Sequence, residues 1–208
     1  MYKRQILSGT PWPTLLAACA VLLANLLFWT ILATGLAAWK KPGEVILASL
    51  VSLWILLGVV LPAAGRVAID RAVYVPSGAD IVMAQREAVN DAWDLPKETT
   101  MLAFVEQHPQ WAAFAAVGRP FEWKWYFAFQ QVGDQKAQAL SSAYTAGRLE
   151  RDRLAGLLAF IAPPVLVERT LQFLAGTDLR SSLAYEASVR AFHAELRHFY
   201  YPKLFHQE

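Results

Sequence analysis

The sequence predicts a mainly α-helical membrane protein: a two-helix transmembrane hairpin followed by an α-helical extramembrane domain. Three observations carry the prediction. No residue from Gln5 to Trp39 bears a formal charge, and none from Val45 to Gly65 does. Only the short basic link Trp39-Lys40-Lys41-Pro42-Gly43-Glu44 separates the two runs. Beyond Gly65 charged residues return, 15 Lys and Arg with 16 Asp and Glu. An α-helix rises about 1.5 Å per residue, so about 20 apolar residues cross a hydrocarbon core of roughly 30 Å. Both runs suffice, and a link this short makes the helices antiparallel neighbours.

Composition agrees. Hydrophobic residues make up 56% of the 208, and the mean hydropathy is +0.30. Up to Gly65 the charge balance is +3; from Arg66 onward it is −1. The tail therefore offers no basic face for nucleic acid. Eight Trp, seven Tyr and eleven Phe suit a protein with interfacial belts. A lone cysteine, Cys19, permits no intramolecular disulfide.

In chain order, Pro11-Trp12-Pro13 holds the first helix to about residues 13–39. The apolar stretch from Thr14 to Trp39 exceeds a signal sequence, and Trp39-Lys40-Lys41 is no small-residue cleavage site. Asn25, near the middle, is an amide in hydrocarbon and is expected to face another helix, with local bonding back to its own helix backbone as the alternative. The second helix spans about 45–65, and Pro62 is expected to kink or close it. Arg66, Asp70 and Arg71 mark the membrane exit, so residues 1–65 form the hairpin and 66–208 the extramembrane domain. Charge does not orient the hairpin, because both ends are basic.

In the tail, Val73–Gly78 reads as an extended turn, with Ser77 capping a helix over Ala79–Trp93. Thr99 or Thr100 starts another helix, ending before His108-Pro109. A loop at Gly118-Arg119-Pro120 leads into an aromatic cluster, Phe121 to Phe129, expected to be core or interfacial. One long helix follows from about Gln130 to Ala162, its Arg148–Arg153 stretch an exposed mixed-charge face. Leu154–Val167 is uncharged but too short to span. It is expected to lie on the membrane or inside the domain, with a re-entrant insertion as the alternative. Gly176-Thr177-Asp178 stops one helix and starts the next. That last helix, about 180–200, carries Val189, Phe192, Leu196 and Phe199 in one apolar stripe, a candidate extramembrane contact surface.

Nothing points to an enzyme or to a cofactor. His193 and His198 stand five apart, about 140° around a helix, and so do not converge on one metal ion. No lysine follows a glycine, so a phosphate-cradling loop is absent from the sequence. There is no Gly-x-Ser-x-Gly elbow.

Several stretches, in order and spacing, resemble the C-terminal half of ABC-2-type transporter permeases of the domain-of-unknown-function 3526 family. They are Phe28-Trp29, Leu53-Trp54 through Leu61-Pro62-Ala63, Val75-Pro76-Ser77, Arg86-Glu87-Ala88 and His108-Pro109. Arg151-Asp152-Arg153-Leu154, Ala162-Pro163-Pro164 and Leu174–Asp178 complete the set. Members are about twice as long, with helices before and after this region. The resemblance implies a permease subunit, or part of one, in a multi-pass inner (plasma) membrane complex. Its Lys40-Lys41 link would be cytoplasmic and residues 66–208 extracytoplasmic. It further implies a separate ATPase subunit. No Met or Cys/His cluster supports the copper-linked roles of some relatives. On this reading the hairpin packs in lipid against other permease helices, or a second copy, through Asn25, Gly35, Gly58 and Pro62. The alternative is a membrane-anchored helical adaptor that transports nothing.

Overall fold

The computed structural model describes residues 12–206. It is 85% helical, with no strand among the described residues, as the patterning requires. Helix α1 is Trp12–Ala37. Helix α2, Gly43–Ile55, runs through one π-helical turn, Leu56–Val60, into α3, Leu61–Ala72. There follow α4 (Gly78–Trp93), α5 (Lys97–Gln107), a 3₁₀ segment (Pro109–Phe114), α6 (Trp123–Ala159), α7 (Pro163–Ala175) and α8 (Leu179–His206).

The α1–α2 link turns where Lys40 adopts φ 52°, just before Pro42 and Gly43. Two helices, Trp12–Ala37 and Gly43–Ala72, are long and apolar enough to cross a membrane. The second extends past the expected end at Gly65. Pro62 neither closes it nor leaves a gap, because the π turn absorbs the missing donor. Proline has no N–H, and its ring crowds the carbonyl four residues back. In response the Leu61 N–H reaches five residues back to the Leu56 carbonyl, a wider ring that lets the helix pass the proline.

Two compact units emerge, and neither ends at Gly65. The first joins the described residues up to Val73 with Leu149–Tyr185; the second joins Tyr74–Arg148 with the residues from Glu186 on. The expected division into 1–65 and 66–208 thus differs from how the folded chain groups. The reason is that α6 and α8 each contribute to both units, and the apolar end of α6 belongs with the hairpin.

In the first unit α1 packs on α2, and α7 packs on α1 and on the π turn. The end of α6 lies along α3: a Cβ on Gly65 would fall on Leu158 Cδ2. Gly176, at φ 65°, closes α7 in the left-handed conformation, and the Thr177 N–H returns to the Gln172 carbonyl at 3.0 Å.

In the second unit Ser77 caps α4 as expected. Its hydroxyl accepts from the Asp80 N–H at 3.1 Å while its own N–H donates to Asp80 Oδ2 at 2.8 Å. Helix α5 begins at Lys97, directly after Pro96, rather than at Thr99 or Thr100. Helix α6 begins at Trp123 rather than near Gln130, so Trp123 to Phe129 of the aromatic cluster form its first two turns. Trp125 and Phe129, four apart, share one buried face, while Phe121 and Trp123 stay exposed. The core comprises Ala92, Met101, Phe104, Trp125, Ala128, Phe129, Tyr201 and Phe205. Helix α8 runs on through Pro202 to His206, since Tyr201 and Phe205 must both reach this core. Phe205 stacks on Trp111 (centroids 4.7 Å apart) and on Phe104 (5.5 Å).

Candidate functional site

The residues able to carry function fall into two sets, one in each unit.

In the first unit, no residue of α1, α2 or α3 is fully buried. Large apolar side chains such as Leu16, Leu26, Ile31, Leu47 and Val59 lie open. In water these faces would be costly at about 25 cal/mol per Å² of apolar area, so they call for hydrocarbon or further helices. Asn25 is half-buried, and its amide oxygen is enclosed with no hydrogen-bond partner among the described residues. Among the described residues nothing closes on Gly35 or Gly58, where a Cβ would meet no atom within 4 Å. Pro62 is half-buried beside the π turn. The close helix contact is made at Gly65 instead, a position that sequence reading passed over.

A polar staple sits where α3 ends. Arg151 Nη1 meets Asp70 Oδ1 at 2.8 Å. Its Nε and Nη2 donate to the Val73 carbonyl at 3.1 and 2.9 Å, and Nη2 also reaches the Asp70 carbonyl at 3.3 Å. The last carbonyls of a helix lack intrahelical donors, and Arg151 supplies three hydrogen bonds. Next to it, Arg169 of α7 pairs with Asp152 of α6 at 2.8 Å. The Arg148–Arg153 stretch is therefore not wholly the solvated face expected from its alternating charges: Arg151 and Asp152 are half-buried and join helices. The one sequence signal was their place at the edge of an apolar run.

In the second unit the stripe Val189, Phe192, Leu196, Phe199 lies largely open. Phe192 and Phe199 are each 57% exposed and Leu196 36%, while Val189 is half-buried. Beside it, Phe127, Leu196, Tyr200 and Leu204 help line a groove of about 480 Å³. On another face, Glu122 and Lys124 are both buried and sit 3.0 Å apart. Glu122 Oε1 accepts from the N–H groups of Gly118 and Arg119, each at 2.8 Å, and Lys124 Nζ donates to the Ala116 carbonyl at 2.6 Å. Burial pulls the Glu122 pKa up, but the Lys124 hydrogen bond, those two N–H groups and the Lys124 charge outweigh it and hold the carboxyl below its ordinary value. This pair ties down the loop before α6. No group of three or more His, Cys, Asp or Glu is placed to hold a metal ion among the described residues.

The family model for the Domain of unknown function (DUF3526) matches residues 80–208, and the chain belongs to that family. The match runs from the first turn of α4 to the end of the chain and includes the α6–α7 pair. No curated protein and no solved structure matches the chain.

Proposed function

We propose that this family member is a membrane-spanning permease subunit, or part of one, of an ABC-2-type ATP-driven transporter. The observation that carries the reading is the first unit itself. Two crossing-length helices have the ends of α6 and α7 packed against them, and their remaining faces are apolar and unoccupied. A bilayer accepts such helices because every backbone group is satisfied within them. Two helices cannot enclose a pathway, so other permease helices or a second copy complete it. Hydrolysis of ATP belongs to a separate subunit, since the sequence carries no phosphate-cradling loop. The protein is then multi-pass in the inner (plasma) membrane, with its second unit outside the cytoplasm. The uncharged turn between α6 and α7 enters the lipid beside the hairpin.

Protease protection in intact spheroplasts, with an epitope tag after Glu208, tests the topology. Loss of the tag and of the second unit on external digestion is the expected result. A fully protected tail refutes the orientation and leaves a cytoplasmic adaptor.

The adaptor reading draws on the open Phe192–Phe199 stripe, which is a contact surface without transport. Asn25→Leu separates the two. In a permease the part of the Asn25 amide left open bonds a neighbouring helix, an interaction of about 0.6–2 kcal/mol in membranes. Crosslinked assembly should then fall roughly three- to thirtyfold. If the hairpin is a mere anchor, assembly is unchanged or rises.

A further inference from the structure

The loop between α6 and α7 leaves a groove of about 470 Å³ within the first unit. Its walls are of two kinds. Leu157, Phe160, Leu166 and Phe173 are exposed, Phe160 by 78% and Phe173 by 68%. Arg153, Arg169 and Arg180 line the same groove, with Asp152 as the only carboxylate among its lining residues. Phe160 lies just past the end of α6, seven residues and about 10 Å of helix rise beyond Arg153, so that ring stands apart from that guanidinium.

The arginines are not equally engaged. Arg169 pairs with Asp152 and Arg153 with Glu150. Among the described residues Arg180 has no ion-pair partner. A guanidinium has five N–H donors, so even the paired arginines keep some free. The lining therefore carries excess positive charge next to open hydrocarbon. A small soluble anion would use the arginines and leave the phenylalanines in water. Moreover α7, one wall of the groove, packs on α1 and on the π turn, which belong to the helices long enough to cross a bilayer.

We infer that this groove seats an anionic phospholipid, its phosphate among Arg153, Arg169 and Arg180 and its acyl chains along Leu157, Phe160, Leu166 and Phe173. The inference rests on the membrane reading above and adds a lipid preference to it. A basic residue near an anionic lipid surface contributes about 1 kcal/mol, which corresponds to about fivefold in affinity.

The test uses the purified full chain, with phosphatidylglycerol and phosphatidylcholine added in matched amounts and retention read by native mass spectrometry. The expected result is preferential retention of phosphatidylglycerol. Arg180→Gln, which disturbs no ion pair, should lower it about fivefold, and Arg153→Gln similarly. Arg71→Gln, on α3 and outside the groove lining, should leave it unchanged. Equal retention of the two lipids overturns the inference, as does an unaltered Arg180→Gln variant. Displacement of phosphatidylglycerol by excess inorganic phosphate also overturns it, making the groove a free-anion site. Carbonate extraction of native membranes separates this failure from the larger one. A chain that stays in the membrane but shows no lipid preference sinks this inference alone; a chain that is released sinks the permease reading with it.

Discussion

Removing the Arg151 guanidinium should unfasten the end of α3 without unfolding the protein. In Arg151→Gln the Val73 and Asp70 carbonyls lose the three hydrogen bonds that satisfy them. Net, a charge-assisted bond contributes about 1.5–3 kcal/mol when well shielded. The Arg151 side chain is 32% exposed, so water replaces part of each. The ion pair adds little, because Asp70 is 45% exposed and such pairs are worth about 0–1 kcal/mol. Together the loss is about 2 kcal/mol, roughly a thirtyfold change in a local opening equilibrium. The readout is amide hydrogen exchange across residues 69–76, where the Val73 N–H bonds the Ile69 carbonyl at 3.0 Å. Exchange there should accelerate about thirtyfold, with the core around Phe104 unchanged. Arg151→Lys, with one compact ammonium in place of a planar fork, should recover only part of the protection. Unchanged exchange in Arg151→Gln, or full recovery by lysine, would refute the staple.

Two further outcomes concern the second unit. Gly147→Ala would place a Cβ 2.8 Å from Val75 Cγ2 and 3.0 Å from the Tyr74 carbonyl oxygen. Backbone yields poorly, so overpacking of about 1–3 kcal/mol should exceed the helix-propensity gain of about 1 kcal/mol, and thermal unfolding should shift down by a few degrees. On acidification, the stabilisation contributed by Glu122 should be lost. Its folded pKa lies below the ordinary value, so that contribution is complete above the unfolded carboxylate range, near 4.3. It disappears as pH falls through the folded value. Glu122→Gln should flatten that part of the stability–pH curve; an unaltered curve counts against the buried pair.

Helix content and the two crossing-length runs were legible in the chain because they depend on local composition. Uncharged stretches of more than twenty residues, the Ser77 cap and the Gly176 stop act within a few residues of themselves, and the structure keeps them where expected. Pro62 does not close its helix, for a different reason: an expanded turn just before it carries the helix past the proline, and sequence carries no mark of that turn. What tertiary structure alone decided is which surfaces meet. Glycine marks close approach only once a neighbour exists, so Gly65 and Gly147 gained their partners while Gly35 and Gly58 stayed open. Arg151 and Asp152 each pair with another helix, and charge alternation looks the same in sequence whether or not such a helix lies beside it. The open stripe at Phe192–Phe199 and the buried pair Tyr201 and Phe205 share one helix and one periodicity. Only the position of the core, assembled from residues a hundred apart in the chain, separated the buried pair from the exposed stripe.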